Sequence, residues 1–340
     1  MPGLPGRGFG AFWGSFGPPR APPVLLSPLA SKVGGGRAYP IIHAPVPLPL
    51  ESVPNVSEGR DETVLAALRD AFSSPARLLD VHADRDHHRS VFTLVGSGPE
   101  LVETLVSGIR CALERIDLRS HTGAHPRVGA VDVVPLVPLR PVDEPLAHEA
   151  ALALADRVSA ELDLPVFFYG RLTEDGREPA FFRRGGPDEL ASRLERGELA
   201  PDRGPARLHP TAGAVLLGVR RPLIAFNVNL RAPGVEVARG IARLVRERDG
   251  GFPGVRALGL DLPSAGLVQV SMNVTDWEAA ALHEIVSYVA AEAEARGAEV
   301  VGSELVGLMP AGAAVAAAGN VLRIDGFDST HVLELRLLDE

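Results

Sequence analysis

Helix-like and strand-like periodicities alternate twice along this chain, and that repeated alternation restricts its fold more than any other feature. In the first half, Val64, Leu65, Leu68 and Phe72 recur at helical spacing. Strand-like runs follow at 78–81 and 91–95, then a helix over 100–118 and a Val-rich strand ending at Leu136. A helix over 143–162 leads into a short strand at 165–169, a charged, irregular or partly helical excursion over 171–202, and a Gly/Pro-rich stretch. The second half repeats this grammar with a strand at 223–230, a helix at 235–247, a glycine turn at 250–254 and an alternating strand at 268–274. A long helix over 276–295, closed by Gly297, and a strand at 300–308 complete it, with a further helix and a strand expected in the tail. Helices alternating with strands in both halves imply an α/β (α+β) protein of two subdomains, divided at 220/221.

With 340 residues, 46% of them hydrophobic, the chain can bury the cores of about two domains. Its net charge of -9 excludes the domain-wide basic surface that nucleic-acid binding needs, so no nucleic-acid partner is expected. Cys111 is the lone cysteine, which excludes an internal disulfide and a cysteine-based metal cluster and fits a reducing cytoplasm. Lys32 is the lone lysine, so Schiff-base chemistry is excluded from residue 33 onward. Residues 1–46 are rich in Gly and Pro and carry no acidic residue, a composition expected to stay disordered. No apolar run is long enough for a membrane span, and none resembles a secretory leader.

Polar chemistry concentrates in HTGAHPRVGAVDVVPL, residues 121–136. Pro126, Gly123 and Gly129 argue against a helix that would align His121 and His125, so the pair does not read as a helical zinc motif. A positioned imidazole can take a proton from a nucleophile and return it to a leaving group, and His125 is the candidate; both histidines would equally serve as loop residues satisfied by backbone. The loop after the first strand crowds together His82, Asp84, Asp86, His87, His88 and Arg89, either as a solvated loop or as a ligand set. Asn55 and Ser57 would cap the first helix or face a ligand. Asn227, Asn229, Gln269 and Asn273 stand at period-two spacing, so each pair shares one strand face, toward a groove or toward internal partners.

The motifs VPNVSEG (53–59), RSVFTLVG (89–96), HTGAHPRVGAVDVVP (121–135), LIAFNVNL (223–230), VQVSMNVTD (268–276) and VGSELVGLMP (301–310) resemble the glutamate formimidoyltransferase family, in the family's order. The resemblance covers residues 51–340 and omits the cyclodeaminase to which this domain is elsewhere fused. It implies two subdomains, each a mixed sheet with helices outside, the sheets facing each other across a ligand groove. It further implies transfer of the formimino group from N-formimino-L-glutamate to N5 of tetrahydrofolate, a co-substrate, by a cytoplasmic homodimer without a metal. The catalytic His of the His-Pro-Arg signature falls on His125. The folate-contacting segment falls on Gly204, Pro205, Ala206, Arg207, Leu208, His209, Pro210, Thr211, Ala212 and Gly213.

A histidine that serves as both base and acid needs a pKa near neutrality, and Asp84 and Asp86 are candidates either for the tuning carboxylate or for holding the cationic amidine of the substrate. Because both substrates are acidic, Arg89, Arg127 and Arg207 are expected to grip carboxylates, with His121 in support. The chain departs from the family pattern at His88, Thr122, Ala124, Arg171 and Arg203, positions read as bearing on substrate recognition. The departures keep two alternatives open: the same transfer from another formimino amino acid, or a divergent folate-binding protein without turnover.

Overall fold

The computed structural model describes residues 49–123, 125–333 and 335; the disorder expected of residues 1–46 therefore lies outside the described residues. The first sheet is built from β1 (Leu50–Ser52), β2 (Asn55–Val56), β3 (Arg77–Asp84), β4 (Arg89–Gly96), β5 (Val131–Pro138), β6 (Val166–Gly170) and β7 (Val215–Val219). Strands β1 and β2 lie end to end between β4 and β5, antiparallel to both, while β7 and then β6 extend the sheet in parallel from the other edge of β5. Strand β5 is thus the pivot between the two pairing modes. Its residues are buried throughout, as its apolar run requires of a strand covered on both faces.

Three helices cover the outer face: α1 (Glu62–Ala71), α2 (Gly98–Arg115) and α3 (Glu144–Leu162). Helix α1 is capped by Asp61, whose Oδ1 accepts the Thr63 and Val64 N–H groups, so neither Asn55 nor Ser57 caps it. Helix α2 starts where the Glu100 carboxylate accepts the Ser97 N–H and hydroxyl, both at 2.8 Å. Their apolar stripes close one core with Leu94, Val134 and Leu136. The excursion contains α4 (Pro179–Arg183) and α5 (Gly186–Glu195), which cover the inner face of the parallel edge through Phe167, Phe182 and Leu190. The rest of that inner face stays open to the cavity described below.

The second sheet has the order β11-β8-β10-β9, formed by β8 (Ile224–Arg231), β9 (Val255–Leu262), β10 (Leu267–Val274) and β11 (Glu299–Val306). It is antiparallel throughout rather than mixed, since tight turns and helical returns join strands of opposite direction. Helices α6 (Val235–Val245), α7 (Leu282–Glu294) and α8 (Ala311–Leu322) belong to this half, and its core includes Ile224, Val228, Ile241, Val270 and Ile285. Strands β2, β7 and β9 are additional to those read from the sequence, and the helix expected from 276 begins only at Leu282. Among the described residues no strand follows α8.

Candidate active site

The inner faces of the two sheets enclose a cavity of about 510 Å³. Period-two alternation sends Glu51, His82, Asp84, Arg89 and Thr93 into it from the first sheet, and Asn227, Ser271 and Asn273 from the second. Arg183 enters from α4, Asn55 from β2, and His125 from the loop before β5. Apolar side chains such as Val91, Val133, Leu223 and Leu258 complete the wall, so convergent polar groups sit on an apolar frame in a concave space, as in small-molecule sites.

The His125 loop is held from below by close backbone approach. A Cβ on Gly129 would lie 1.9 Å from the Ala214 carbonyl oxygen, and one on Gly123 would lie 2.5 Å from that of His87. Arg127 ties this loop to the β3–β4 turn: Nη2 donates to the His87 and His125 carbonyls at 2.9 and 2.8 Å, and Nη1 to that of His88 at 3.1 Å. The Arg127 donors are therefore engaged in holding these two loops together, and the residue does not line the cavity. Burial, with the Arg183 and Arg60 charges, pushes it down to about 10, and it stays cationic at neutral pH.

His121 stacks on His88 with ring centroids 3.9 Å apart and lies against Arg127 at 2.6 Å, outside the cavity. Burial first, then Arg127 and His88, pushes it down to about 4, so it is neutral scaffold. The crowded turn is internally paired: His87 Nδ1 lies 2.9 Å from Asp84, and His88 Nε2 lies 3.2 Å from Glu58. Among the described residues no three His, Cys, Asp or Glu side chains converge to hold a metal.

The Nδ1 atom of His125 lies 2.8 Å from the Pro126 carbonyl oxygen. A carbonyl only accepts, so Nδ1 carries the proton and Nε2 is the free base. The imidazole is held well below its ordinary range, first by burial and then by Arg89, Arg183 and His87. Neutrality is what a base requires. The near-neutral value expected from the sequence is not met, first because the imidazole is buried and then because the charges acting on it are cations: Asp84 is engaged by His87, and Asp86 accepts from Ser264.

Two of these cations lack full partners. The Arg89 side chain makes no hydrogen bond or ion pair among the described residues and its Nε is buried; the Nε of Arg183 and the Oγ1 of Thr93 are buried without partners too. Arg183 is tethered through Nη2 to Asp132, whose other oxygen accepts the Val128 N–H at 2.7 Å. Burial and the Arg183 charge push Arg89 down to about 9, which still leaves it charged.

Across the cavity, His82 Nε2 lies 3.2 Å from Glu304 Oε1, and Asn227 donates to Glu304 Oε2 at 2.9 Å. The Glu304 hydrogen bond raises His82, and the same bond lowers Glu304. Of the expected polar row, Asn227 and Asn273 line the cavity, whereas Gln269 donates to Asn229 at 2.9 Å beyond it.

The ten residues 204–213 do not line the cavity. They end in a hairpin in which His209 and Gly213 exchange backbone hydrogen bonds, and this hairpin braces the base of the His125 loop through Ala130 N–H to Ala212 O at 2.9 Å. Arg207 pairs with Asp163 at the surface. Three positions of departure also lie outside the cavity: His88 is paired as above, Arg171 meets Glu144 at 2.7 Å and Arg203 meets Asp156 at 2.6 Å. Thr122 offers its carbonyl to His88 Nδ1 at 2.9 Å, and Ala124 lies outside the described residues. Arg183 was not singled out from the sequence, where it is one of two adjacent arginines; the visible signal was its partner Asp132, a lone charge inside an apolar strand.

Residues 49–220 match the model of the formiminotransferase domain's N-terminal subdomain, and residues 225–328 match that of the formiminotransferase domain. The chain is 37% identical over 294 residues to a glutamate formimidoyltransferase of Streptococcus pyogenes, spanning 85% of this chain and 98% of the relative. It is 36% identical to one from Thermoplasma acidophilum, with 97% of that relative covered. With the formimidoyltransferase-cyclodeaminase of Rattus norvegicus it shares 40% identity over 272 residues, 77% of this chain and 50% of the relative.

Proposed function

The chain belongs to the formiminotransferase family, and from that premise we propose that the cavity between its sheets transfers a formimino group from N-formimino-L-glutamate to N5 of tetrahydrofolate, with His125 as the proton carrier. N5 attacks the amidine carbon, forming a C–N bond and a tetrahedral intermediate with a surplus proton on N5. His125 Nε2 takes that proton. The imidazolium then delivers it to the glutamate nitrogen as the C–N bond to glutamate breaks, releasing glutamate and 5-formimidoyltetrahydrofolate.

The observation that carries this reading is the state of His125: its Nδ1 proton points to the Pro126 carbonyl, which leaves a neutral Nε2 at the cavity wall. Asn55, Asn227 and Asn273 offer neutral hydrogen bonds suited to the pterin, and Asp84 steadies His87 beside His125. Residues 204–213 act through the loop they brace. The reaction requires no metal, and the protein works as a cytoplasmic homodimer.

The test is His125→Ala, assayed with formiminoglutamate and tetrahydrofolate. Removing a general acid–base costs about 10²–10⁴-fold in rate. Folate binding should persist, and undiminished turnover in this variant would overturn the assignment. A screen of other formimino amino acids tests the donor.

A further inference from the structure

Arg89 and Arg183 line the cavity with His125, near enough for their charges to act on it, and have fewer anionic partners than charges. Asp132 is the one carboxylate paired to either of them among the described residues, and it serves Arg183 alone. A desolvated cation without a counter-charge is costly to keep, and it persists where a ligand supplies the missing anion. We propose that Arg89 and Arg183 together form a carboxylate seat beside His125, and that the donor's own carboxylate, once seated, turns His125 into an effective base.

Arg89 begins β4, where its backbone pairs with Asp84 and its side chain runs along the inner face. Arg183 ends α4 and is held at one nitrogen by Asp132, which leaves the rest of its planar fork toward the cavity. Two guanidinium groups present donors in the flat geometry that a carboxylate accepts. Their nearness to His125 has a second effect. After burial, the charges of Arg89 and Arg183 are the largest causes that hold the imidazole low, with His87 adding to them.

The charged and titratable groups around His125 are these two cations, Arg127 on its own loop, His87 with Asp84 on the β3–β4 turn, and Asp132 on β5. The carboxylates of this set are already engaged. A carboxylate arriving from solution therefore changes the local balance more than any resident group can.

Proton binding at His125 and carboxylate binding at the seat must then assist each other equally, because linkage is reciprocal. Without a carboxylate on the seat the imidazole stays neutral and is a weak base. With the seat filled it can hold the proton it takes from N5 long enough to pass it on. A donor lacking the carboxylate would bind poorly and also meet an inactive base. This inference rests on the transfer reaction proposed above, and its test is arranged so that each can fail alone.

The probe is glutarate, a dicarboxylate with glutamate's carbon skeleton and no amine. Histidine-labelled full-length protein is titrated by NMR with and without saturating glutarate, the His125 signal being assigned by its loss in His125→Asn. The His125 midpoint should rise by about one to two pH units with glutarate, the shift produced by an opposite charge nearby. Arg183→Gln should raise the midpoint of the free protein and abolish most of the glutarate response. Arg89→Lys, which keeps the charge but not the fork, should keep the low midpoint and weaken glutarate binding; it also carries the test should Arg183→Gln fail to fold.

Absence of glutarate binding, binding that leaves His125 unmoved, or a free Arg183→Gln protein that titrates as wild type would each overturn the seat. Turnover of formiminoglutamate is measured on the same samples. Normal turnover with no seat effect leaves the reaction standing without this inference. A full seat effect with no turnover from formiminoglutamate keeps the seat and removes the donor.

Discussion

Replacing Asp132 by Asn tests the charge arrangement behind His125 from its least exposed member. Asp132 is 4% exposed and serves two masters: Oδ1 accepts the Val128 N–H at 2.7 Å, and Oδ2 holds the Arg183 guanidinium. A carboxamide satisfies one of these. If its oxygen faces Val128, its NH₂ faces a cation, donor against donor; if it flips, Val128 loses its acceptor inside the core. Removing one partner of a buried ion pair costs about 3–5 kcal/mol. Arg183 keeps 17% exposure and can recover some hydration, so about 2–3 kcal/mol is expected. For a chain of this size that is a fall of roughly 3–5 °C in Tm, read by calorimetry. The released guanidinium also adds positive charge beside His125, so the acid limb of kcat/KM moves to lower pH: a base harder to protonate stays active in more acid solution. An unchanged Tm, or an acid limb displaced upward, would refute the reasoning.

Two further substitutions follow from the same geometry. Gly129→Ala places a Cβ 1.9 Å from the Ala214 carbonyl, which must displace the His125 loop, so transfer should fall at least about tenfold while circular dichroism retains the helices. Glu304→Gln removes the cross-sheet bond to His82. His82 is raised, so its stabilisation is present at low pH and fades as pH climbs through its folded value; Glu304 is lowered, so its share is lost as pH falls through its depressed value. The urea midpoint of Glu304→Gln should therefore lie furthest below wild type between the carboxylate and imidazole ranges, and the gap should narrow in alkali.

The layered α/β fold was legible where one face of an element is apolar, as with Val64, Leu65 and Leu68 or the alternation of Val268 to Val274. Strand β9 escaped notice because Arg256 and Asp261 interrupt it and because Gly259 reads as a turn. In the fold that glycine lets α6 press against the strand, since a Cβ there would lie 2.2 Å from Arg239 N. At the site, His125 and Arg89 were visible because imidazole and guanidinium at a strand's mouth are chemically conspicuous. Arg127 and His121 were equally conspicuous but hold loops together, a difference that depends on which carbonyls surround them. Arg183 was invisible for the opposite reason: its role depends on meeting a carboxylate 51 residues away in sequence.

The two sheets keep separate hydrophobic cores, and polar bonds join the two halves: His82 with Glu304 between the sheets, Asp86 with Ser264 between loops, and Arg256 on β9 with Glu178 just ahead of α4. Parting the halves therefore breaks ionic latches and leaves both cores dry. The cleft behaves as a pair of stiff jaws closed by charge, and dissolved salt should loosen it long before heat does. Substrates that are themselves highly charged would then help set the width of the gap that holds them.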